Sequence, residues 1–331
     1  MLTTEISQIV FEVTYRCQSN CQFCYNCWKY QYQPLPELTL DQYQQLMQKL
    51  PKTKQIAISG GEPLLRHDLR EIILALKRLS PNILVITSGI QINNEIARMF
   101  KELNVRVQIS LHGLEDTHNA LTRTENAYQR AIQGIAWLKR NDVKYGITTV
   151  VNKKNIHEIK QVFELGVALD AQQLQVIRFM PGGEGIKNQD LMLNAREYIK
   201  MMEDLDGVCK NYGIIGVLGA PNTPCSFPDE KYKHISKGMC GAGVDWFAID
   251  PSGRMRICNH SPTILGDLTQ QSFADIWAHP LLEKFRTNQM IPKACDGCKR
   301  RDECKGGCRA VAETYYGDIS APDPLMTCVK R

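Results

Sequence analysis

Three cysteines open the chain's chemistry, in the run Cys17-Gln18-Ser19-Asn20-Cys21-Gln22-Phe23-Cys24. The spacing is C-x3-C-x2-C, and the run directly follows the apolar segment Ile9-Val10-Phe11-Glu12-Val13-Thr14. Thiolates this close can take three corners of one iron–sulfur cube, where a closed cluster takes four. The remaining iron is then open to a small molecule carrying an amine and a carboxylate. The competing readings are part of a zinc site or a set of core thiols. Zinc, however, takes four N/S ligands, commonly as two separated pairs. Cys27 adds a second C-x2-C with Cys24. A fourth thiolate would close the open iron, so Cys27 is read as lying outside the ligand set.

Gly60-Gly61-Glu62-Pro63 is the second candidate. Paired glycines let backbone approach a ligand closely, and Glu62 or nearby carbonyls can accept from a ligand ammonium. Taken alone, the same residues read as an ordinary strand-to-helix turn. A third group fills the last part of the chain: Cys240, Gly253 and Cys258, then Cys295, Cys298, Cys304 and Cys308, and finally Cys328. As a pattern it is C-x12-G-x4-C, a gap, C-x2-C-x5-C-x3-C, a gap, and C. Zinc knuckles are the alternative here. Cys225 lies in Pro224-Cys225-Ser226, and Cys209 falls in a helical pattern as a small apolar residue.

Strands must carry these groups. Candidates are 9–14, 55–59, 83–87, 105–111, 145–151 and 172–178, several of them almost continuously apolar, as parallel strands covered on both faces are. Helical patterns lie between them, with capping boxes expected at Thr39/Gln42, Asn155/Glu158 and Asn194/Glu197. The alternation implies right-handed βαβ units. The fold class is therefore α/β: a partial (β/α)6, TIM-like barrel over residues 1–214, then a small cysteine-rich domain over 215–331. The second part is expected to hold a β-hairpin around Pro251-Ser252-Gly253 and a helix over 272–288. Each motif falls at the carboxyl end of a strand, where barrels place their chemistry. These include Thr87-Ser88-Gly89 and Ser110-Leu111-His112-Gly113.

Composition limits the partners. Among 331 residues the net charge is +5, too slight and dispersed for nucleic acid. No apolar run approaches the roughly 20 residues that span a bilayer, and no secretory signal is visible. Thirteen cysteines in such a chain point to metal ligation in the cytoplasm, not to disulfides.

Taken together, the triplet, the Gly-Gly-Glu-Pro run and the ordered late cysteines resemble the radical S-adenosylmethionine enzymes that carry a SPASM extension. The resemblance covers nearly the whole chain. It implies three [4Fe–4S] clusters, one binding S-adenosylmethionine and two auxiliary, and release of a 5′-deoxyadenosyl radical that removes hydrogen from a substrate. The first cluster would take Cys17, Cys21 and Cys24. Phe23, Gly60, Gly61, Glu62 and Pro63 would flank S-adenosylmethionine, with Thr87, Ser88 and Ser110 near its ribose and Arg123 or Arg178 on its carboxylate. One auxiliary cluster would take Cys295, Cys298, Cys304 and Cys328. The other would take Cys240, Cys258 and Cys308, with either Cys225 or an open position as the fourth.

The layout is closest to members that crosslink a precursor peptide in pyrroloquinoline quinone synthesis, although those carry aspartate where this chain has Cys304. Sulfatase-maturing members carry an aspartate base where this chain has Asn259. The implied substrate is a ribosomally made precursor peptide, and the implied electron donor is a flavodoxin or ferredoxin. With the first strand near Ile9, a leader-recognition module is expected to be a separate chain. Oxidation of a small molecule such as a tetrapyrrole side chain is the second reading, and a non-catalytic iron–sulfur or zinc scaffold the third. No catalytic acid or base is assigned. His260 and Tyr25 are the polar groups nearest the signatures.

Overall fold

The structure is a computed structural model that describes residues 5–27, 35–226 and 229–326. Cys328 lies outside the described residues. Eleven strands build one sheet: β1 (Ile6–Glu12), β2 (Thr53–Ser59), β3 (Ile83–Thr87), β4 (Arg106–Ser110), β5 (Tyr145–Val151), β6 (Gln173–Arg178), β7 (Ile215–Leu218), β8 (Ile235–Lys237), β9 (Trp246–Ile249), β10 (Arg254–Arg256) and β11 (Ile264–Asp267). Their order is β11-β10-β9-β1-β2-β3-β4-β5-β6-β7-β8. From β1 to β6 every pairing is parallel. The expected six strands are all present, within a few residues of their expected ends.

Helices α1 (Leu40–Lys49), α2 (Leu69–Leu76), α3 (Asn94–Glu102), α4 (Glu115–Thr122), α5 (Ala127–Arg140), α6 (Ile159–Ala168) and α7 (Ala195–Tyr212) run between and after these strands. Outward-facing Ile9, Phe11, Ile56, Ile58, Val85, Val107 and Ile109 pack with helix residues such as Leu46, Ile72 and Phe100 in the main core. The inner face is different. Gln8, Gln55, Gln108, Gln173 and Gln175 line the interior beside apolar side chains such as Val10, Ile86 and Ile177, so only the helix-covered face of these strands is uniformly apolar.

Two capping boxes form as expected, Thr39 with Gln42 and Asn194 with Glu197. The third does not. Asn155 instead accepts from Asn152 N and donates to the carbonyls of His112 and Val150, while Glu158 accepts from Leu114 N. Each side chain thus has a partner from across the fold, Asn155 in His112 O and Glu158 in Leu114 N, and Asn155 has local ones besides.

The cysteine-rich part extends the barrel sheet at both edges. β7 and β8 continue it in parallel beyond β6, and β9 pairs in parallel with β1. The expected hairpin is β9–β10, antiparallel, turning at Pro251-Ser252-Gly253. The expected helix over 272–288 is two helices, α8 (Phe273–Trp277) and α9 (Pro280–Arg286). Pro280 has no N–H to continue α8. It starts a new helix, which His279 caps through Leu281 N. α10 (Arg301–Cys304) and α11 (Arg309–Tyr316) complete the chain's helices among the described residues.

Candidate functional site

The cysteine loop leaves β1 and is held from four sides. Gly61 N donates to Thr14 O at 2.7 Å and Glu62 N to Arg16 O at 2.8 Å, so the Gly-Gly-Glu turn zips onto the residues that lead into Cys17. This approach requires glycine. A Cβ on Gly61 would lie 2.0 Å from Arg16 O, and Gly60 sits at φ +132°. From the loop after β6, Gly183 presses so closely that its Cβ would meet Cys24 O at 2.8 Å. Asn20 N and Gln22 N donate to the carbonyls of Thr122 and Leu121 at the end of α4. Gln18 Nε2 donates to Ser88 Oγ at 3.0 Å beyond β3. Cys17, Cys21 and Cys24 thereby line one cavity of about 630 Å³ together with Phe23, Gly60, Gly61, Glu62, Thr87, Ser88 and Ser110.

Glu62 is buried, and its carboxylate accepts from Leu64 N, Thr87 Oγ1, Ser88 N and Ser88 Oγ. Thr87 and Ser88, expected near a ribose, are therefore the donors that fix Glu62. Pro63 begins the short turn that follows. Arg123, in the left-handed region at the end of α4, pairs with Glu184 at 3.1 Å. Arg178, 3% exposed, pairs with Asp323 at 2.5 Å. Both arginines expected on a ligand carboxylate thus have carboxylates of their own.

Sequence reasoning missed several groups here. His112 Nδ1 accepts from Val150 N at 3.1 Å, which fixes the proton on Nε2. Its ring meets the edge of Phe23 at 4.5 Å and stacks on His118. Burial, and then His118, hold it well below the usual imidazole range. Behind the cavity, Arg256 of β10 is fully buried. It pairs with Glu12 of β1 and donates to Cys27 Sγ at 2.7 Å and Ser261 O at 3.0 Å. Burial pushes the Glu12 carboxyl up to about 8, and Arg256 opposes that shift. The visible signal was an acid in an apolar strand, with a second buried charge due in the hairpin. Tyr25, next to Cys24, stacks on His260 at 4.2 Å and 23°. The two groups singled out for inspection are in contact.

The later cysteines fall into two neighbourhoods. Cys240, Cys258 and Cys308 line the same cavity as the first triplet. Burial first, and then each other's sulfurs, push Cys258 well up and Cys308 up to about 11. Cys295, Cys298 and Cys304 form the second neighbourhood, and Cys225 joins them. Beyond burial, its sulfur helps to push up both Cys295 and Cys304. Cys209 is buried in α7, as expected.

Among the described residues no three His, Cys, Asp or Glu side chains converge on a single metal ion. A cluster makes a different demand, since each of its irons takes one thiolate. Soft donors grouped at the mouth of a cavity, in a loop admitted by glycines, fit that demand.

Residues 11–166 match the family model for the Radical SAM superfamily, and residues 240–300 match the Iron-sulfur cluster-binding domain called SPASM. The chain is a radical S-adenosylmethionine enzyme with a SPASM domain. It is 25% identical to the PqqA peptide cyclase of Bradyrhizobium diazoefficiens, over 96% of this chain and 84% of the relative. It is 26% identical to the AdoMet-dependent heme synthase of Methanosarcina barkeri, over 98% of this chain and 96% of the relative. Its fold is similar to that of SuiB from Streptococcus suis, a structure with S-adenosylmethionine bound, at TM-score 0.77 and 15% identity, covering 98% of this chain and 78% of that one. No helix among the described residues is long and apolar enough to cross a membrane.

Proposed function

We propose that this enzyme removes hydrogen from a ribosomally made precursor peptide and so modifies it, by crosslinking, epimerisation or backbone excision. The carrying observation is the neutrality of the cavity wall. Four Lys or Arg side chains line it among the described residues: Arg106, Lys144, Arg178 and Arg309. Arg178 is answered by Asp323, and Arg309 donates to the carbonyls of Gly306, Ile319 and Ala321. Arg106 and Lys144 belong to the opposite, amino-terminal end of the strands. Glu62 is the one acid of the lining among the described residues, and its oxygens already accept four bonds. What remains near the cysteines is amide, hydroxyl and neutral imidazole, which complements peptide backbone. Similarity to the PqqA peptide cyclase supports the same reading.

When bound, S-adenosylmethionine and its cluster supply the hydrogen-abstracting radical. The chain's own task is placement. The triplet loop is clamped by the Gly60–Glu62 turn, and His112 presents a fixed Nε2–H beside Phe23 without adding charge. The auxiliary cysteines would hold two further clusters.

A second reading, modification of a tetrapyrrole, is favoured by the similarity to the heme synthase. It requires cations for the substrate's carboxylates, and those at the cysteine end are engaged. The test is anaerobic turnover of the reconstituted protein with dithionite and S-adenosylmethionine. A panel of synthetic precursor peptides runs against an iron tetrapyrrole bearing propionates. Peptide mass shifts with matching 5′-deoxyadenosine are expected. Product from the tetrapyrrole alone would sink the peptide reading.

A further inference from the structure

We propose that the amino-terminal end of the barrel cavity is a carboxylate-binding subsite, built around Gln108 and Arg106, that seats an acidic group of the substrate. It deepens the peptide reading and rests on it for the source of that group, the side chain of a glutamate or aspartate in the precursor.

The site begins with the direction of its amides. Arg106, at the start of β4, can only donate, and its Nη2 meets Gln55 Oε1 at 2.7 Å. The Gln55 nitrogen is thereby turned to Gln8 Oε1, at 3.5 Å. Gln108 Oε1 accepts from Gln173 Nε2 at 3.2 Å, and Gln175 Oε1 from Thr148 Oγ1 at 2.8 Å. Four amide oxygens are thus taken by the wall's own residues, and what is left over is N–H. Gln108 is 2% exposed and lines the cavity, yet its Nε2 has no acceptor among the described residues. A buried donor left without an acceptor is costly, and a ligand oxygen would relieve that cost.

Two glycines make room for this wall. A Cβ on Gly146 of β5 would stand 2.8 Å from Gln108 Oε1 and 2.7 Å from Gln173 Cγ. One on Gly219 would stand 3.0 Å from Gln175 Nε2.

Charge agrees with the direction of the hydrogen bonds. Arg106 gives one N–H to Gln55 and has no carboxylate partner among the described residues. Lys144 lines the same end and acts also on Asp142. Glu62 is at the cysteine end with its oxygens filled. A wall of donors with a guanidinium and no acid of its own takes a negatively charged acceptor, a carboxylate. A neutral carbonyl would satisfy Gln108 and leave the guanidinium unanswered. At about 3.3 Å per residue, Gln108 lies roughly 7 Å and Arg106 roughly 13 Å along β4 from Ser110. A carboxylate seated there is remote from the cysteines. It would select which substrate residue faces the radical without taking part in the chemistry.

The test is equilibrium dialysis of the anaerobically reconstituted protein, with S-adenosylmethionine at saturation to occupy the open iron. Two matched pairs of probes are used. The first is N-acetylglutamate methylamide against N-acetylglutamine methylamide, and the second an iron tetrapyrrole bearing propionates against its methyl esters. Expected is binding of the glutamate probe about ten-fold tighter than the glutamine probe, the scale of a hydrogen bond to a charged group. That preference should vanish in Gln108→Glu, which sets an acceptor in place of the free donor, and in Arg106→Gln. Arg106 is exposed, so Arg106→Gln carries the test if Gln108→Glu fails to fold, as judged by iron content. No preference for the acid in either pair would overturn the subsite. So would a preference that persists in a variant of wild-type iron content, since the acid would then be bound elsewhere. Preference for the propionates alone, lost in the variants, would support the subsite and remove the peptide as the source of the carboxylate. The peptide reading is decided separately, by the mass shifts in turnover.

Discussion

Glu62 shows how a residue that resembles a ligand group can be an architectural one. Its carboxylate is 1% exposed and answers two backbone amides and two hydroxyls, joining the turn after β2 to the turn after β3. Hydrogen bonds to a charged acceptor contribute about 1.5–3 kcal/mol each. Glu62→Gln places an NH2 against donors, and should lower stability by about 2 kcal/mol or more, read as a reduced urea midpoint. An unchanged midpoint would show that these bonds contribute nothing. His118 offers a pH-dependent counterpart. Burial holds its imidazole down at about 4, against 6.5 in the unfolded chain. Between those values the unfolded state binds more protons, so stability falls as pH drops from 6.5 toward 4. At pH 5.5 the loss attributable to this one residue is about 1.4 kcal/mol, ten-fold in the folding equilibrium. His118→Gln keeps an acceptor for His112 N and should lessen the pH dependence between 7.5 and 5.5, to which buried His112 and His260 also contribute. A variant with the wild-type slope would remove His118 as the cause.

At the scale of elements, the loops after the strands hold one another before they hold any ligand. Gly61 is the tightest point, because its Cα faces the Arg16 carbonyl with no room for a methyl. Gly61→Ala should therefore unseat the triplet loop and cost about a third of the iron bound, with the later cysteines still loaded. Gly213 is the matched control. It caps α7 at φ +67° with nothing within 4 Å, so Gly213→Ala carries only backbone strain, about 1 kcal/mol. Iron loss equal in the two variants would refute the clamp. Legibility divides along the same line. Local signals were readable where local geometry used them, as at Thr39, Asn194 and the Pro251-Ser252-Gly253 turn. Asn155 carried the same capping signal, but Asn152 N and Val150 O close by and His112 O from a distant loop claimed it. The 272–288 stretch kept its apolar spacing across His279-Pro280, and the spacing hid a break that proline chemistry announces. Gln8, Gln55, Gln173 and Gln175, set among apolar strand residues, marked the partly polar interior in plain sight. The apolar runs drew attention to the opposite face.

Across the whole molecule, the barrel and the cysteine-rich part are joined by buried charge as well as by the shared sheet. Arg256 of β10 meets Glu12 of β1, and Arg178 at the end of β6 meets Asp323. Asp323 also accepts from Cys308 N at 2.8 Å and from Leu325 N at 3.0 Å. One carboxylate thus ties the last barrel strand to the loop that carries Cys308. Taking two charges out of water costs more than a surface pair does, and removing one partner strands the other, a loss of about 3–5 kcal/mol. Asp323→Asn and Arg178→Met should each destabilise on that scale, read by unfolding of the loaded protein. The double variant should cost less than the two losses added, since neither charge is then left unpaired. Hydrogen exchange should rise together in β6 and in residues 306–325, elements separated by more than a hundred positions in sequence. Additive losses, or faster exchange on one side alone, would mean that Arg178 and Asp323 stabilise their own segments independently. The charge pair would then not be what couples the barrel to the loop of Cys308.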